Sequence, residues 1–443
     1  MLSGSDVLKE GWMTKQGGLI KSWKKRWFVL HDTDLDYFIK PNGKQQGTIP
    51  IHDAKVIQPS PECKKQPSFK IVIPGVRVYY IQTNTTEEVQ DWIAALEKAR
   101  SGVKASVSTA VHLDDFDIIK VIGRGTYGKV QLVRNKNDGQ LYAMKSMSKR
   151  LLEEYGQIEQ TITERDVLFQ TVHPFLVGAH FTFQNDTKIF LILDYVPGGE
   201  LFGRLKEETR FPVERVKIYA AEILLGLMQL HKLGFIYRDL KPENILVDRQ
   251  GHLKITDFGL VKTDMKGDQT TNTFCGTPEY IAPEMLQSQP YTRAVDWWSF
   301  GILIFEMLTG LPPFYDENTN KMYRDIIQNE PRYPHYIPEQ AKALMERLLK
   351  KDPKERLGSG ESDGEEIKRD PFFDGINWTD VLEKRTNPGY VPQIANDTDT
   401  NNFDDEFTHE KPVVSYEDAS MIQDDKQQAF ADFTLVNKSG FHK

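Results

Sequence analysis

The residues of this chain best suited to chemistry are two carboxylates and an amide that follow one another closely. Asp239 and Asn244 flank Lys241 in the segment YRDLKPEN, and Asp257 follows in the triplet DFG. Phosphoryl transfer needs a carboxylate at the attacking hydroxyl and hard oxygen ligands for Mg²⁺. We therefore predict that Asp239 is the general base, that Lys241 is a further catalytic residue, and that Asn244 and Asp257 hold Mg²⁺.

A glycine-rich segment upstream suits the phosphates of a nucleotide. Gly123, Gly125 and Gly128 lie between two strand-like runs, where they would let backbone amides approach phosphate oxygens. Such a hairpin alone is as often a tight turn, and a dinucleotide site would need a helix directly after it. Lys145 in the next apolar strand and Glu164 on the helical stretch at residues 158–170 can form the pair that clamps the phosphates, so we predict an ATP site. The alternative is a solvated lysine and a surface glutamate.

In this order, the segments resemble a eukaryotic protein kinase over residues 116–373. Tyr237 replaces the usual histidine of the catalytic loop, and TFCGTPEY at residues 273–280 resembles the activation segment of the AGC group. The resemblance implies that Asp296 steadies the catalytic loop and that Arg356 pairs with Glu284. It also implies a set of nucleotide contacts beyond the glycines and Lys145: Val130, Ala143, Leu193, Asp194, Val196 and Phe403.

The remainder, residues 374–443, resembles the C-terminal tail of the same group. FDDEF at residues 403–407 is similar to the segment across the adenine pocket, and FADFT at residues 430–434 is similar to the hydrophobic motif. The resemblance implies phosphorylation at Thr273, Ser415 and Thr434 by upstream activating kinases. Spaced phenylalanines in an acidic tail could instead be disordered contact points.

An acidic pair predicts the substrate. Glu200 and Glu243 resemble the carboxylates with which basophilic AGC kinases hold an arginine three residues before the acceptor. We therefore expect protein substrates that carry an upstream arginine.

The first hundred residues form a separate module. Short alternating segments with turn signals predict antiparallel hairpins, and the spacing of Val89, Trp92 and Leu96 predicts a closing helix over residues 86–100. Four cations bracket the Gly17-Gly18 turn and could converge on one anionic head group: Lys15, Lys24, Lys25 and Arg26. A lysine-rich face is more often only solvated.

The module resembles a pleckstrin-homology domain over residues 6–100, which implies phosphoinositide binding; a protein partner is the alternative. With a linker at 101–115, the kinase and its tail, the chain resembles the protein kinase B (Akt) family over nearly its whole length. Departures from that family are Lys24 for arginine, Tyr79 for a head-group arginine, Gln160 for a histidine and Leu435 for an aromatic residue. A pseudokinase scaffold remains an alternative, although it would have no chemical need for the complete catalytic set.

Composition sets the outer limits. The chain has 443 residues and a net charge of -8, which disfavours nucleic acid as a partner. The charge is +4 over residues 1–30 and -9 over residues 396–432, so the two ends favour different partners. Two cysteines and no long apolar run indicate a soluble, cytoplasmic protein that membranes recruit reversibly. We predict an α+β chain: a small antiparallel barrel or sandwich with a closing helix, then a bilobal kinase fold with a tail.

Overall fold

The computed structural model divides into two compact units, residues 1–110 and 111–443. The residues it describes are 7–16, 22–31, 34–41, 43–51, 54, 56–60, 63, 65–73, 77–106, 111–265, 269–415, 428–430 and 433–436. The Gly17-Gly18 turn lies outside them.

The first unit is an antiparallel sheet closed by one helix, as predicted. Its strands, in the order β4-β3-β2-β1-β7-β6-β5, are β1 (Lys9–Gln16), β2 (Trp23–Leu30), β3 (Asp34–Phe38), β4 (Gln45–Pro50), β5 (Val56–Pro59), β6 (Ser68–Ile73) and β7 (Arg77–Gln82). Alternate residues of each strand face the core, where Met13, Phe28 and Ile71 are buried.

Helix α1 (Thr86–Ser106) covers this core with Val89, Trp92 and Leu96, the three residues that predicted it. It continues six residues beyond the expected end at Arg100, through the first part of the predicted linker. The added residues contain no proline, and a helix that has already nucleated extends at little cost.

The small lobe of the second unit is a sheet with two helices. Strand order is β15-β11-β12-β10-β9-β8, with β8 (Phe116–Gly125), β9 (Gly128–Asn135), β10 (Leu141–Ser148), β11 (Ala179–Gln184), β12 (Lys188–Asp194) and β15 (Leu435–Val436). Helix α2 (Lys149–Glu154) precedes α3 (Ile158–Gln170), which has the predicted bounds. Helix α3 buries Glu164, Val167 and Leu168 on one side, so it can carry a carboxylate into the cleft.

The large lobe is helical. Its core is α7, in which every residue from Ala294 to Leu308 is buried because nearly all are apolar. The helices are α4 (Leu201–Glu208), α5 (Val213–Lys232), α6 (Pro283–Leu286), α7 (Ala294–Thr309), α8 (Thr319–Gln328), α9 (Glu339–Leu348), α10 (Gly364–Ile367) and α11 (Trp378–Leu382). A two-stranded ribbon of β13 (Ile245–Val247) and β14 (Leu253–Ile255) follows the catalytic loop.

The tail packs on the second unit. Helix α12 (Asp405–Thr408) contacts β8, and β15 adds an edge strand beside β11. Phe430 and Phe433 are buried in the main core. Among the described residues, no helix is long and apolar enough to cross a membrane.

Candidate active site

Lys145 stands at the centre of an ion-pair network between the lobes. Its Nζ lies 2.6 Å from Glu164 Oε1 and 3.6 Å from Asp257 Oδ1. Although burial lowers it, the charges of Asp257 and Glu164 raise the pKa of Lys145 above its ordinary value. Lys145 in turn lowers the pKa of Asp257, whereas burial raises that of Glu164. The strand, helix α3 and the DFG segment are thus brought to one point, as predicted.

Asp239 is held on both of its carboxylate oxygens. Oδ2 accepts a hydrogen bond from Asn244 Nδ2 at 2.7 Å and lies 3.2 Å from Lys241 Nζ. Oδ1 accepts one from Thr277 Oγ1 at 3.0 Å, and Lys241 Nζ also donates to Thr277 Oγ1 at 2.9 Å. Thr277 belongs to the activation segment, so Asp239 and that segment share one hydrogen-bonded cluster. Sequence reasoning did not single out Thr277.

A buried ion-pair network supports the catalytic loop from below. Asp296 accepts hydrogen bonds from the backbone N–H groups of Tyr237 and Arg238, each at 2.8 Å. His231 bridges Asp296 at 2.8 Å and Asp363 at 3.1 Å. Burial alone would lower the pKa of His231, but these two carboxylates raise it to about 9. Arg238 adopts a left-handed backbone with φ of 70°, which this network holds in place.

The glycine hairpin and an apolar pocket form the rest of the cleft. Gly128 is required by packing, because a Cβ there would lie 1.7 Å from the Ser146 carbonyl oxygen. Ala143 pairs with Leu193 in the sheet, and Val130 pairs with Lys145. Leu193 and Val196 are buried, and Phe403 stacks on Tyr195 with ring centroids 6.1 Å apart. The predicted apolar contacts therefore lie together.

The side chain of Asp194, a predicted nucleotide contact, has structural partners. Its carboxylate accepts a hydrogen bond from Lys254 Nζ at 3.0 Å, lies 2.8 Å from His180 Nε2 and accepts another from the Gly178 N–H at 3.1 Å. The pKa of Asp194 is lowered, because these partners outweigh burial. The side chain is committed to a structural network, and the N–H of Asp194 donates to Gly178 O at 3.0 Å, so a nucleotide contact would use the Asp194 carbonyl oxygen.

Asn244 and Asp257, the predicted metal ligands, have a chemistry that suits Mg²⁺. Asn244 uses its amide nitrogen on Asp239, so the amide oxygen is its atom for a cation, and Asp257 offers a partly exposed carboxylate. Mg²⁺ is usually held by one or two protein oxygens together with phosphates and water. No group of three or more histidine, cysteine or acidic side chains gathers anywhere in the described part of the chain.

An acidic cluster beside the catalytic loop is larger than predicted. Desolvation, followed by the charges of Glu243 and Asp404, raises the pKa of Glu200. Burial, followed by the charges of Glu243 and Glu279, raises the pKa of Glu306 to about 8. Tyr280 Oη donates a hydrogen bond to Glu306 Oε2. The sequence signal for Glu306 was its position inside an otherwise apolar helix.

The four cations of the first unit lie on two faces of the sheet. Lys24 pairs with Lys15 across the sheet, and Arg26 shares the face of the buried Phe28. Lys15 Nζ lies 4.5 Å from the centroid of the Tyr37 ring. Lys25 points to the other face, because neighbouring residues of a strand alternate. Lys15, Lys24 and Arg26 therefore share one face of the sheet, and Lys25 lies on the other.

Comparison with known proteins identifies the family. Residues 116–373 match the protein kinase domain, residues 7–101 the PH domain and residues 394–434 the protein kinase C terminal domain. A RAC family serine/threonine-protein kinase homolog of Dictyostelium discoideum is 42% identical over 99% of both chains. The chain belongs to the RAC (Akt) kinase family. The human RAC-beta serine/threonine-protein kinase is 36% identical over 97% of this chain and 98% of its own length.

This RAC-family chain is therefore an AGC serine/threonine protein kinase that uses ATP. The fungal kinase YPK1 of Saccharomyces cerevisiae is 46% identical over 75% of this chain and 48% of its own length. A pseudokinase is not supported, since the catalytic side chains are present and assembled.

The activation segment of this RAC-family kinase exposes Thr273. Arg238 donates to Leu260 O at 2.7 Å and to Tyr291 Oη at 2.9 Å, and Tyr291 Oη donates to Thr273 O at 2.7 Å. Arg238 is thus linked to Thr273 through one tyrosine. Elsewhere, Arg356 forms two bonds to Glu284, at 2.6 and 2.9 Å, as the resemblance implied.

The tail holds the small lobe at two places. Thr182 Oγ1 donates to Phe433 O at 2.7 Å, Gln184 Nε2 donates to Phe430 O, and Thr434 remains exposed. Ser415 is also exposed.

The second contact of the tail with the small lobe, through Glu410, was not predicted. Glu410 forms an ion pair with Lys129 in the glycine hairpin and lies 3.4 Å from Arg124.

Proposed function

We propose that this kinase transfers the γ-phosphoryl group of Mg-ATP to serine or threonine, with Asp239 as the base. The observation that carries the proposal is the arrangement of Asp239, whose carboxylate is fixed by Asn244, Lys241 and Thr277. A carboxylate oriented in this way can accept the hydroxyl proton as the oxygen attacks. Lys241, which contacts both Asp239 and Thr277, is suited to neutralise charge on the transferring group.

Other residues bind and orient the nucleotide. Gly123, Gly125 and Gly128 line the phosphates, and Lys145, held by Glu164, contacts them from the facing strand. Mg²⁺, held by Asn244 and Asp257, would supply charge neutralisation at the phosphate oxygens. The adenine is enclosed by the remaining predicted contacts, which are Val130, Ala143, Leu193, Asp194, Val196 and Phe403.

Asp239→Ala tests this assignment. We expect the variant to lose at least about 100-fold in turnover, the usual range for a positioned base, while ATP binding stays near the parental value. Radiolabel transfer to a peptide and nucleotide binding by calorimetry measure the two effects, and Glu355→Ala, an exposed carboxylate of the same lobe, is the control. Parental turnover in Asp239→Ala would show that the role is wrong.

The substrates we propose are proteins with an arginine three residues before the acceptor. The support is electrostatic: burial, followed by the charges of Glu243 and Asp404, raises the pKa of Glu200, so an entering guanidinium would relieve the repulsion between these carboxylates. Arginine suits two carboxylates better than lysine because its donors form a fixed fork.

We also propose reversible recruitment from the cytoplasm to phosphoinositide membranes, with Lys15, Lys24 and Arg26 as the head-group contacts. Each cation near an anionic surface contributes on the order of 1 kcal/mol, so the cluster favours recruitment and not anchoring. Activation by upstream kinases at Thr273 and Thr434, with Ser415 as a further site, completes the proposal; all three residues are exposed.

A further inference from the structure

The outer face of strands β1 and β2 carries aromatic and cationic side chains that the head-group site does not use. Trp12 and Trp27 lie opposite each other, with ring centroids 5.6 Å apart, and Lys25 Nζ is 5.3 Å from the Trp12 ring centroid. Trp23 belongs to the same face, and Lys65 Nζ is 5.6 Å from its ring centroid. Trp12 is 38% exposed. We call this group the indole face.

Charge is graded along the strands. Glu10 pairs with Val29, and Val29 pairs with Asp36, so both carboxylates lie on the same outer side but toward the far end of the sheet. Lys25 pairs with Thr14 near the other end, where Lys15 and Lys24 also lie. Trp23 lies at this cationic end, and Trp12 and Trp27 lie midway between it and the carboxylates.

This combination suits a lipid surface. Tryptophan side chains favour the boundary between head groups and acyl chains, and lysines are attracted to anionic lipids. Lys24 and Lys25 are neighbours on opposite faces of one strand, so a surface that reaches both must meet the strand end. The head-group site and the indole face are then continuous around that end.

We propose that the indole face contacts anionic lipids next to the phosphoinositide whose head group the Lys15, Lys24 and Arg26 site binds. The domain would enter the lipid boundary with the ends of β1 and β2, so that Trp12 and Lys25 contact lipid on one side while the head group is bound on the other. This inference rests on the proposed lipid recruitment and adds a second contact to it.

The experiment compares two kinds of binding by the full chain. Soluble inositol polyphosphate, measured by calorimetry, reports the head-group site alone. Vesicles of phosphatidylcholine, with phosphatidylserine and with or without phosphoinositide, report both contacts. The variants are Trp12→Ala with Lys25→Ser, Lys25→Ser alone, and Arg26→Ala. The control, Leu8→Ala with Lys354→Ser, removes one exposed apolar and one exposed cationic side chain elsewhere.

We expect Trp12→Ala with Lys25→Ser to bind phosphatidylserine-phosphoinositide vesicles at least about fivefold more weakly, the equivalent of about 1 kcal/mol for the lysine alone. Its binding of the soluble head group should stay within about twofold of the parent. Arg26→Ala should lose the soluble head group, and the control should match the parent in both assays. Lys25→Ser, at an exposed position, keeps the test valid if the tryptophan variant does not fold.

Unchanged vesicle binding with intact head-group binding would overturn the inference and would point to a protein partner for the indole face. Equal losses in both assays would also overturn it, since the face would then only support the head-group site. If the parent fails to bind the soluble head group yet binds phosphatidylserine vesicles through Trp12 and Lys25, the recruitment proposal fails and the lipid contact stands. Failure of the parent in both assays overturns both.

Discussion

Glu306 is a buried carboxyl group whose protonation links stability to pH. Its pKa rises from 4.5 to about 8 because of burial and the charges of Glu243 and Glu279. Between those values the folded chain binds a proton that the unfolded chain releases, so the contribution of Glu306 to the free energy of unfolding falls as pH rises from about 4.5 to 8. Glu306→Gln keeps a partner for Tyr280 without the charge. We expect it to gain stability over the parent, by on the order of a few kcal/mol, as pH rises to 8.5.

Thermal unfolding at pH 5.5, 7 and 8.5 measures this difference. Glu339→Gln is the control, because its side chain is 84% exposed. Parallel pH profiles for Glu306→Gln and the parent would contradict the assignment.

Glu200 governs substrate choice in our proposal. Glu200→Gln removes one of the two carboxylates that would bind an arginine, while the base and the Lys145 pair stay intact. We expect the variant to lose about tenfold or more in kcat/KM on a peptide with arginine three residues before the acceptor, the cost of one charged hydrogen bond. On the matched alanine peptide, parent and variant should be equal. An equal loss on both peptides would indicate a general defect instead.

At the scale of elements, helix α12 and the residues after it attach the tail to the glycine hairpin through Glu410. The carboxylate pairs with Lys129 and Arg124, which flank the glycines predicted to line the phosphates. Glu410→Ala should loosen the hairpin, raising the KM for ATP a few-fold with little change in kcat. Hydrogen exchange of residues 120–130 should increase. Glu406→Ala, an exposed carboxylate on α12, is the matched control, and equal effects of the two variants would exclude a specific role for the ion pair.

At the scale of the whole molecule, two phosphorylations are expected to shift the same equilibrium between the less active and the more active arrangement of the kinase. A phosphate on Thr273 adds up to two negative charges near Arg238, which reaches the segment through Tyr291. A phosphate on Thr434 adds a charge beside the docked Phe433 and strengthens the strand pairing that holds the tail on the small lobe. Both changes would favour the arrangement in which Lys145 meets Glu164.

We expect each phosphate to raise activity about tenfold or more, the effect of one charged hydrogen bond, and the doubly phosphorylated chain to be the most active. Thr273→Ala and Thr434→Ala should each lack one of the two increases in activity when the same activating kinases are supplied. An unphosphorylated chain that already runs at the doubly phosphorylated rate would show that the segment is ordered without modification.

Local patterns in the sequence specify the elements and the local chemistry. Helix α3 was predicted with its observed bounds, and the spacing of apolar residues predicted the face of α1 that covers the first core. The catalytic segments predicted that Asp239, Asn244 and Asp257 act together, because phosphoryl transfer needs a carboxylate at the hydroxyl and oxygen ligands for Mg²⁺. The alternation of β2 also puts Lys25 on the other face of the sheet from Lys24 and Arg26. The number of cations in the segment does not reveal this difference.

Which distant groups meet depends on the folded chain. Glu410 and Lys129 are 281 residues apart, and their contact depends on the path of the tail over the small lobe. Glu306 has a raised pKa because folding buries it and brings the charges of Glu243 and Glu279 near it. The commitment of Asp194 to Lys254 and His180 likewise follows from packing. Such long-range contacts are set by the sum of many weak packing terms, which no local pattern in the sequence records.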